Sequence, residues 1–158
     1  MLFQFQYEVF DDISQLNDVN KQLLNEAKNA TKLAYAPYSQ FHVGAAALLE
    51  DGTILHGSNQ ENASYPAGIC AERVLLSALS SLHPKKTINT LAISYNNLNG
   101  ESIRPISPCG ICRQSLLEQE IKQHQAIRII LGGLSGNIYI IPQAKLLLPL
   151  SFSADDMK

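Results

Sequence analysis

The segment FHVGAAALLEDGTILHGS, residues 41–58, limits the fold more than any other part of the chain. Two apolar runs flank Asp51-Gly52, the strongest short hairpin signal a sequence offers. Phe41–Leu49 and Thr53–Ser58 are therefore expected as antiparallel strands. Around this hairpin the apolar period changes repeatedly. Phe3, Phe5, Tyr7 and Val9 alternate with polar residues, which predicts a half-buried N-terminal strand. Leu23, Ala27, Ala30 and Ala34 recur in steps of three and four, predicting a helix from about Asp18 to Ala34 with Asn17 as N-cap and Pro37 as its stop. A second helix is expected over Ala71–Leu82 and a third from Cys109 to Ile121. TLAISY, AIRIIL and NIYII read as strands, and QAKLLL as a short final helix.

Strands interleaved with helices imply one sheet covered by helices on its faces. GGLSG, between the last two strands, is too short for a parallel crossover, which needs about a dozen residues, so those strands should be antiparallel. At 158 residues the chain reads as one domain. Its 46% hydrophobic and 16% charged content fits a compact fold. A formal net charge of −2 gives no electrostatic reason to expect a nucleic-acid partner. MLFQFQYEVF lacks the continuous apolar run of a signal peptide, and no segment reaches the length of a membrane span. The expectation is no membrane partner and a cytoplasmic location, where the three cysteines stay reduced.

Those cysteines carry the chemical signal. Cys109 and Cys112 form a Cys-x-x-Cys behind Pro108, and Cys70 lies far off in ICAER. Spacing alone leaves the pair open between a redox motif, half a zinc site and coincidence. Cys70 alone is more often a small buried hydrophobe. Taken together, both groups stand where a loop feeds a helix, and helix N-termini favour thiolate over thiol. Three thiolates suit Zn²⁺ and leave a fourth position for water. The histidines at 42, 56, 83 and 124 show no companion spacing to the cysteines, though the sheet could still bring His42 or His56 in. Glu72 follows Cys70 by two residues. Near a helix start both could reach a metal lying close to the axis, and a carboxylate beside an open zinc position can take a proton from water and pass it on. Without the cysteines, Glu72 would read as a first-turn acid favoured by the helix dipole. Arg73 and Arg113 each follow a candidate ligand. They could hydrogen-bond sulfur and draw charge away, or simply be solvated at the surface.

CAER followed by PCGICRQ, together with AYAPYSQFHVGAA, GSNQENASYPAGICAER and the tail LLPLSFSADD, resembles the cytidine deaminase family in its compact, homotetrameric, three-cysteine form. The resemblance spans roughly residues 30–156 and leaves residues 1–17 as an N-terminal extension. It implies an α/β fold: three layers, α/β/α, on a mixed five-stranded sheet, to which the N-terminal segment would add an extra strand. It implies a hydrolase that deaminates free cytidine and deoxycytidine in pyrimidine salvage, with one zinc per subunit. By the same resemblance Cys70, Cys109 and Cys112 match the zinc ligands and Glu72 the proton shuttle. Asn59 and Glu61 match the pair that holds the ribose hydroxyls, Phe41 an aromatic beside sugar and base, and Ala71 a backbone N–H to the pyrimidine carbonyl. Phe152 and Tyr65 match aromatics that cross a subunit boundary, so active sites would be shared within a homotetramer. Read from the residues themselves, Asn59 and Glu61 could equally be a polar loop. Gln60 between them is expected to point the opposite way. The rival readings are a deaminase acting on polynucleotides, one acting on a nucleoside antibiotic, a closed zinc module and a Cys/His hydrolase.

Overall fold

The computed structural model describes residues 2–158. In chain order the described residues form β1 (Glu8–Phe10), α1 (Asp18–Ala30), β2 (Phe41–Leu49), β3 (Ile54–Ser58), α2 (Ala71–Leu82), β4 (Ile88–Asn97), α3 (Gly110–Gln123), β5 (Arg128–Gly132) and β6 (Ile138–Ile141). The strands make one six-stranded sheet in the order β1-β6-β5-β4-β2-β3. The β4–β5 pair is parallel, with α3 as its crossover, and the other neighbours are antiparallel. β5 and β6 pair antiparallel, as the length of their connection requires.

Alternation along the strands splits the core in two. Ala46, Ala92 and Ile130 face Leu23, Leu24 and Ala27 of α1. Ala45, Ala47, Leu91, Ile93, Ile129 and Leu131 face Leu75 and Leu79 of α2 and Leu116 of α3. Each fully buried leucine contributes about 1.5–3 kcal/mol, so α1 depends on these contacts more than on intrinsic propensity. The layers are α/β/α, with α1 alone on one face.

Asn17 caps α1, its Oδ1 accepting from the Asn20 N–H at 2.9 Å. The α-helix ends at Ala30 and tightens into a 3-10 turn over Thr31–Leu33, earlier than the periodicity predicts. The hairpin closes through Gly52 at φ 85°, a left-handed residue that fits the twist of its strands. β4 extends beyond TLAISY at both ends, and QAKLLL forms a 3-10 turn, Ala144–Leu147, in place of an α-helix.

The N-terminal strand differs most from expectation. Pairing begins only at Glu8, opposite Ile140, and Phe3, Tyr7 and Val9 are exposed. The register explains this. Continued one step beyond Tyr7, it would set Gln6 against Pro142, which has no N–H to give the ladder.

Candidate metal centre and active site

The first turns of α2 and α3 converge beside the ends of β2 and β3. Cys70 is the N-cap of α2 and Cys109 the N-cap of α3, and neither cap makes a side-chain hydrogen bond to its helix. Helix starts leave up to four N–H groups without internal acceptors, usually covered by a Ser, Asp or Asn oxygen. Here sulfur stands at both cap positions. Cys112 is the third residue of α3, and cap and third residue lie on one side of a helix start, so the Cys-x-x-Cys spacing brings two sulfurs together. The sulfurs of Cys70, Cys109 and Cys112 all lie within 4.8 Å of one another, with Cys70 and Cys109 3.8 Å apart.

That donor set fits zinc. Three sulfurs converge, Cys112 is buried, and two helix N-termini point partial positive charge at them. No histidine joins the cluster among the described residues. His56 instead faces α1, where its Nε2 lies 2.8 Å from Glu26 Oε2. Proton sharing with Cys112 brings Cys70 down to about 6, against burial and the nearby Glu72, while Cys109 and Arg73 also lower it. Hydrogen bonding to Cys70 and burial raise Cys112 correspondingly.

Glu72 is the second residue of α2 and only 4% exposed. Burial raises its carboxyl above the ordinary carboxylate value. Gly57 makes this placement possible: a Cβ there would overlap the Ala71 carbonyl oxygen and stand 2.8 Å from the Leu75 nitrogen. β3 therefore seats the first turn of α2 closely. Glu72, Cys70 and Cys109 share a cavity of about 220 Å³ with Ala71, Phe41 and Asn59. Ala71, the first helical residue, has a backbone N–H with no intrahelical acceptor. Phe41 stacks on Tyr95 with centroids 5.0 Å apart and planes inclined by 18°.

Of the remaining candidates, only Asn59 lines this cavity. Asn59 uses its amide to clamp β2, accepting from Val43 N–H at 2.7 Å and donating to Phe41 O at 2.9 Å, which leaves one amide hydrogen over. Glu61 opens on a neighbouring cavity of about 390 Å³ with Tyr38, Ser39 and Tyr65. Its carboxylate accepts from the Tyr38 N–H at 2.9 Å and from the Ser39 hydroxyl, and the Ser39 bond is the main reason it is held below the ordinary value. Gln60 turns away and donates to Leu33 O. Tyr65, 76% exposed, meets Tyr38 edge-on, and Phe152 is 60% exposed on the surface of its own chain. Neither Arg73 nor Arg113 donates to sulfur among the described residues. Arg73 lines the groove between α2 and α3, and Arg113 donates to the Pro108 and Leu147 carbonyls.

Four residues at the site escaped the sequence reading. Val43 and the pair Ile106/Ser107 line the metal cavity, and Tyr95 backs Phe41. Val43 shares Phe41's face at the strand period and could have been found. Tyr95 required the β2–β4 register, which sets it opposite Val43.

The chain matches the family described as cytidine and deoxycytidylate deaminase zinc-binding region over residues 17–127. It is 39% identical over 137 residues to the cytidine deaminase of Halalkalibacterium halodurans, covering 87% of this chain and 96% of that one. Identity to the cytidine deaminase of Sporosarcina psychrophila is 41% over 141 residues, 89% of this chain and 95% of the relative. Among solved structures, the cytidine deaminase from Burkholderia pseudomallei superposes with a TM-score of 0.70 at 37% identity, covering 83% and 97% of the two chains. The one from Mycobacterium tuberculosis gives 0.66 at 34% identity, covering 87% and 98%. Three converging thiols, a buried carboxylate on the same cavity and a match over most of the chain agree: this protein belongs to the cytidine and deoxycytidylate deaminase zinc-binding family.

Proposed function

We propose that this enzyme catalyses the zinc-dependent hydrolytic deamination of free cytidine and deoxycytidine, giving uridine or deoxyuridine and ammonia. The observation that carries the reading is the opening of buried Glu72 onto the cavity that Cys70 and Cys109 line. Zinc held by Cys70, Cys109 and Cys112 supplies the Lewis acidity that makes water nucleophilic near neutral pH. The proton traffic falls to Glu72. Its carboxylate takes one proton from the attacking water and delivers it to N3 of the base, while the water oxygen bonds to C4. It then moves the remaining hydroxyl proton to the amino group, the C4–N bond breaks, and ammonia leaves. A carboxyl raised by burial is suited to both acceptance and return of the proton.

Phe41, braced by Tyr95, gives the base an apolar wall, and the Ala71 N–H faces the pyrimidine carbonyl. Asn59 has one amide hydrogen, and Glu61 has unused lone pairs, for the sugar hydroxyls. Deoxycytidine keeps the 3′ hydroxyl and so remains a substrate. The open surface at Phe152 and Tyr65 supports a homotetramer in which these aromatics complete a neighbour's site. Reduced ligand thiols fit a cytoplasmic enzyme of pyrimidine salvage. We read the chain as one domain with residues 1–17 as an extension. A base within a polynucleotide is disfavoured by the formal net charge of −2, which offers no basic surplus for phosphates.

The test is Glu72→Gln, followed by cytidine ultraviolet absorbance and ammonia release. Zinc should remain at one per chain while turnover falls by about 10⁴-fold or more, the upper range for a positioned acid–base group. Normal turnover in this variant would remove Glu72 from the reaction. Light scattering on the purified protein tests the tetramer.

A further inference from the structure

The third helix also holds the chain that follows β6. Arg113 and Glu120 are seven residues apart on α3, two turns, and therefore on one side of it. Against that side lies the 3-10 turn Ala144–Leu147. Glu120 is buried, and its carboxylate accepts three backbone N–H bonds: from Ile127 at 2.7 Å, Ala144 at 2.8 Å and Lys145 at 3.1 Å. At the other end of the turn, Arg113 donates from Nη1 to the Leu147 carbonyl at 2.8 Å. Its Nε donates to the Pro108 carbonyl, also at 2.8 Å. The acid thus meets the N–H end of the turn and the guanidinium its carbonyl end, the sign that each end of aligned peptides favours. Pro108 is one peptide bond from Cys109. Arg113 therefore ties the sulfur-bearing turn to a second turn, which Glu120 fixes at its far end.

We propose that Arg113 and Glu120 are positioning residues for the metal centre, forming with residues 144–147 a strut that holds the turn Pro108–Cys112 in shape for the ion. The proposal rests on the zinc reading above. It separates from a purely electrostatic effect by sign. Three thiolates on Zn²⁺ carry net negative charge, so removing the negative charge of Glu120 would, by electrostatics alone, stabilise the loaded centre. A strut requires the opposite, because loosening the turn frees Arg113 and lets the Cys109 loop relax.

The experiment uses the zinc-loaded enzyme and measures zinc transfer to a chromophoric chelator, alongside the sulfur-to-metal absorption of cobalt-substituted protein. Arg113→Gln should release zinc roughly tenfold faster, the low end for partners that orient a metal's ligands, and Glu120→Gln faster than wild type but no faster than Arg113→Gln, being one element further from the ion. The double variant should release no faster than Arg113→Gln, since the two act through one element. Both single variants should shift the cobalt spectrum. A Glu120→Gln protein that melts lower yet releases zinc at the wild-type rate or more slowly, with an unchanged cobalt spectrum, would overturn the strut and leave the metal reading standing. Wild-type protein that takes up no zinc would overturn both. Should Glu120→Gln fail to fold, Glu120→Asp keeps the charge, shortens the reach and carries the same two readouts.

Discussion

Replacing Gly57 by alanine tests how the active carboxylate is held in place. The added Cβ would overlap the Ala71 carbonyl and stand 2.8 Å from the Leu75 nitrogen and 2.9 Å from its Cβ. These are α2 backbone atoms and a Cβ fixed directly to that backbone, with no flexible end to swing aside, so the first turn must retreat by roughly 0.5–1 Å. Overpacking of this kind costs about 1–3 kcal/mol. For a chain of this size the melting temperature should fall by roughly 2–12 °C. The turn that retreats carries Cys70 and Glu72, while Cys109 and Cys112 stay with α3. A misplacement near 1 Å at reacting groups costs about 100-fold in rate. Zinc content by elemental analysis, kcat/KM for cytidine and thermal melting should therefore all decline together. Gly110→Ala is the matched control, since its Cβ meets nothing within 4 Å; stability should stay within about 0.5 kcal/mol of wild type and zinc content should hold. A Gly57→Ala enzyme with wild-type melting, full zinc and unchanged kcat/KM would refute the argument that β3 seats the catalytic turn.

Other perturbations have defined outcomes. Asn59→Ala leaves the half-buried Phe41 carbonyl and Val43 N–H without these partners, and the loss should be about 1 kcal/mol per hydrogen bond in urea unfolding; an unshifted midpoint would show that these groups find other partners. Glu72 has a raised carboxyl because of burial, so its ionised form penalises the folded metal-free protein. The penalty is present above the folded-state pKa and vanishes below the ordinary value of 4.5. Metal-free Glu72→Gln should accordingly be more stable than metal-free wild type at neutral pH, the gap closing as pH falls toward 4.5; a gap independent of pH would exclude this origin. Cys112→Ala removes the buried sulfur and should abolish stoichiometric zinc, with equilibrium dialysis as the check.

Local pattern determined a large part of this protein. The boundaries of β2 and α2 follow from apolar period and from Asp51-Gly52, because strand and helix faces repeat at fixed intervals whatever surrounds them. The Asn17 cap and the antiparallel β5–β6 pair follow from side-chain chemistry and link length alone. The cysteines at two helix starts, with Glu72 beside them, were legible because ligand chemistry needs few residue types at short spacing.

What the sequence could not decide depends on which segments meet. The N-terminal alternation promised a longer strand, but the ladder stops at Glu8 opposite Ile140, and Pro142, just past the partner strand, offers no N–H to carry it further; a strand's length belongs to both its members. Asn59 and Glu61 share a strand-like spacing, yet they open on different cavities, because β3 ends at Ser58 and the Tyr38–Ser39 loop draws Glu61 to itself. Tyr95 behind Phe41, Gly57 under α2 and Leu147 against Arg113 join residues 34 to 54 positions away for the first and third, and 14 for Gly57 and Ala71. Periodicity reports which way a side chain faces, whereas these contacts are set by register, close approach and the return of the chain, and only the folded molecule contains them.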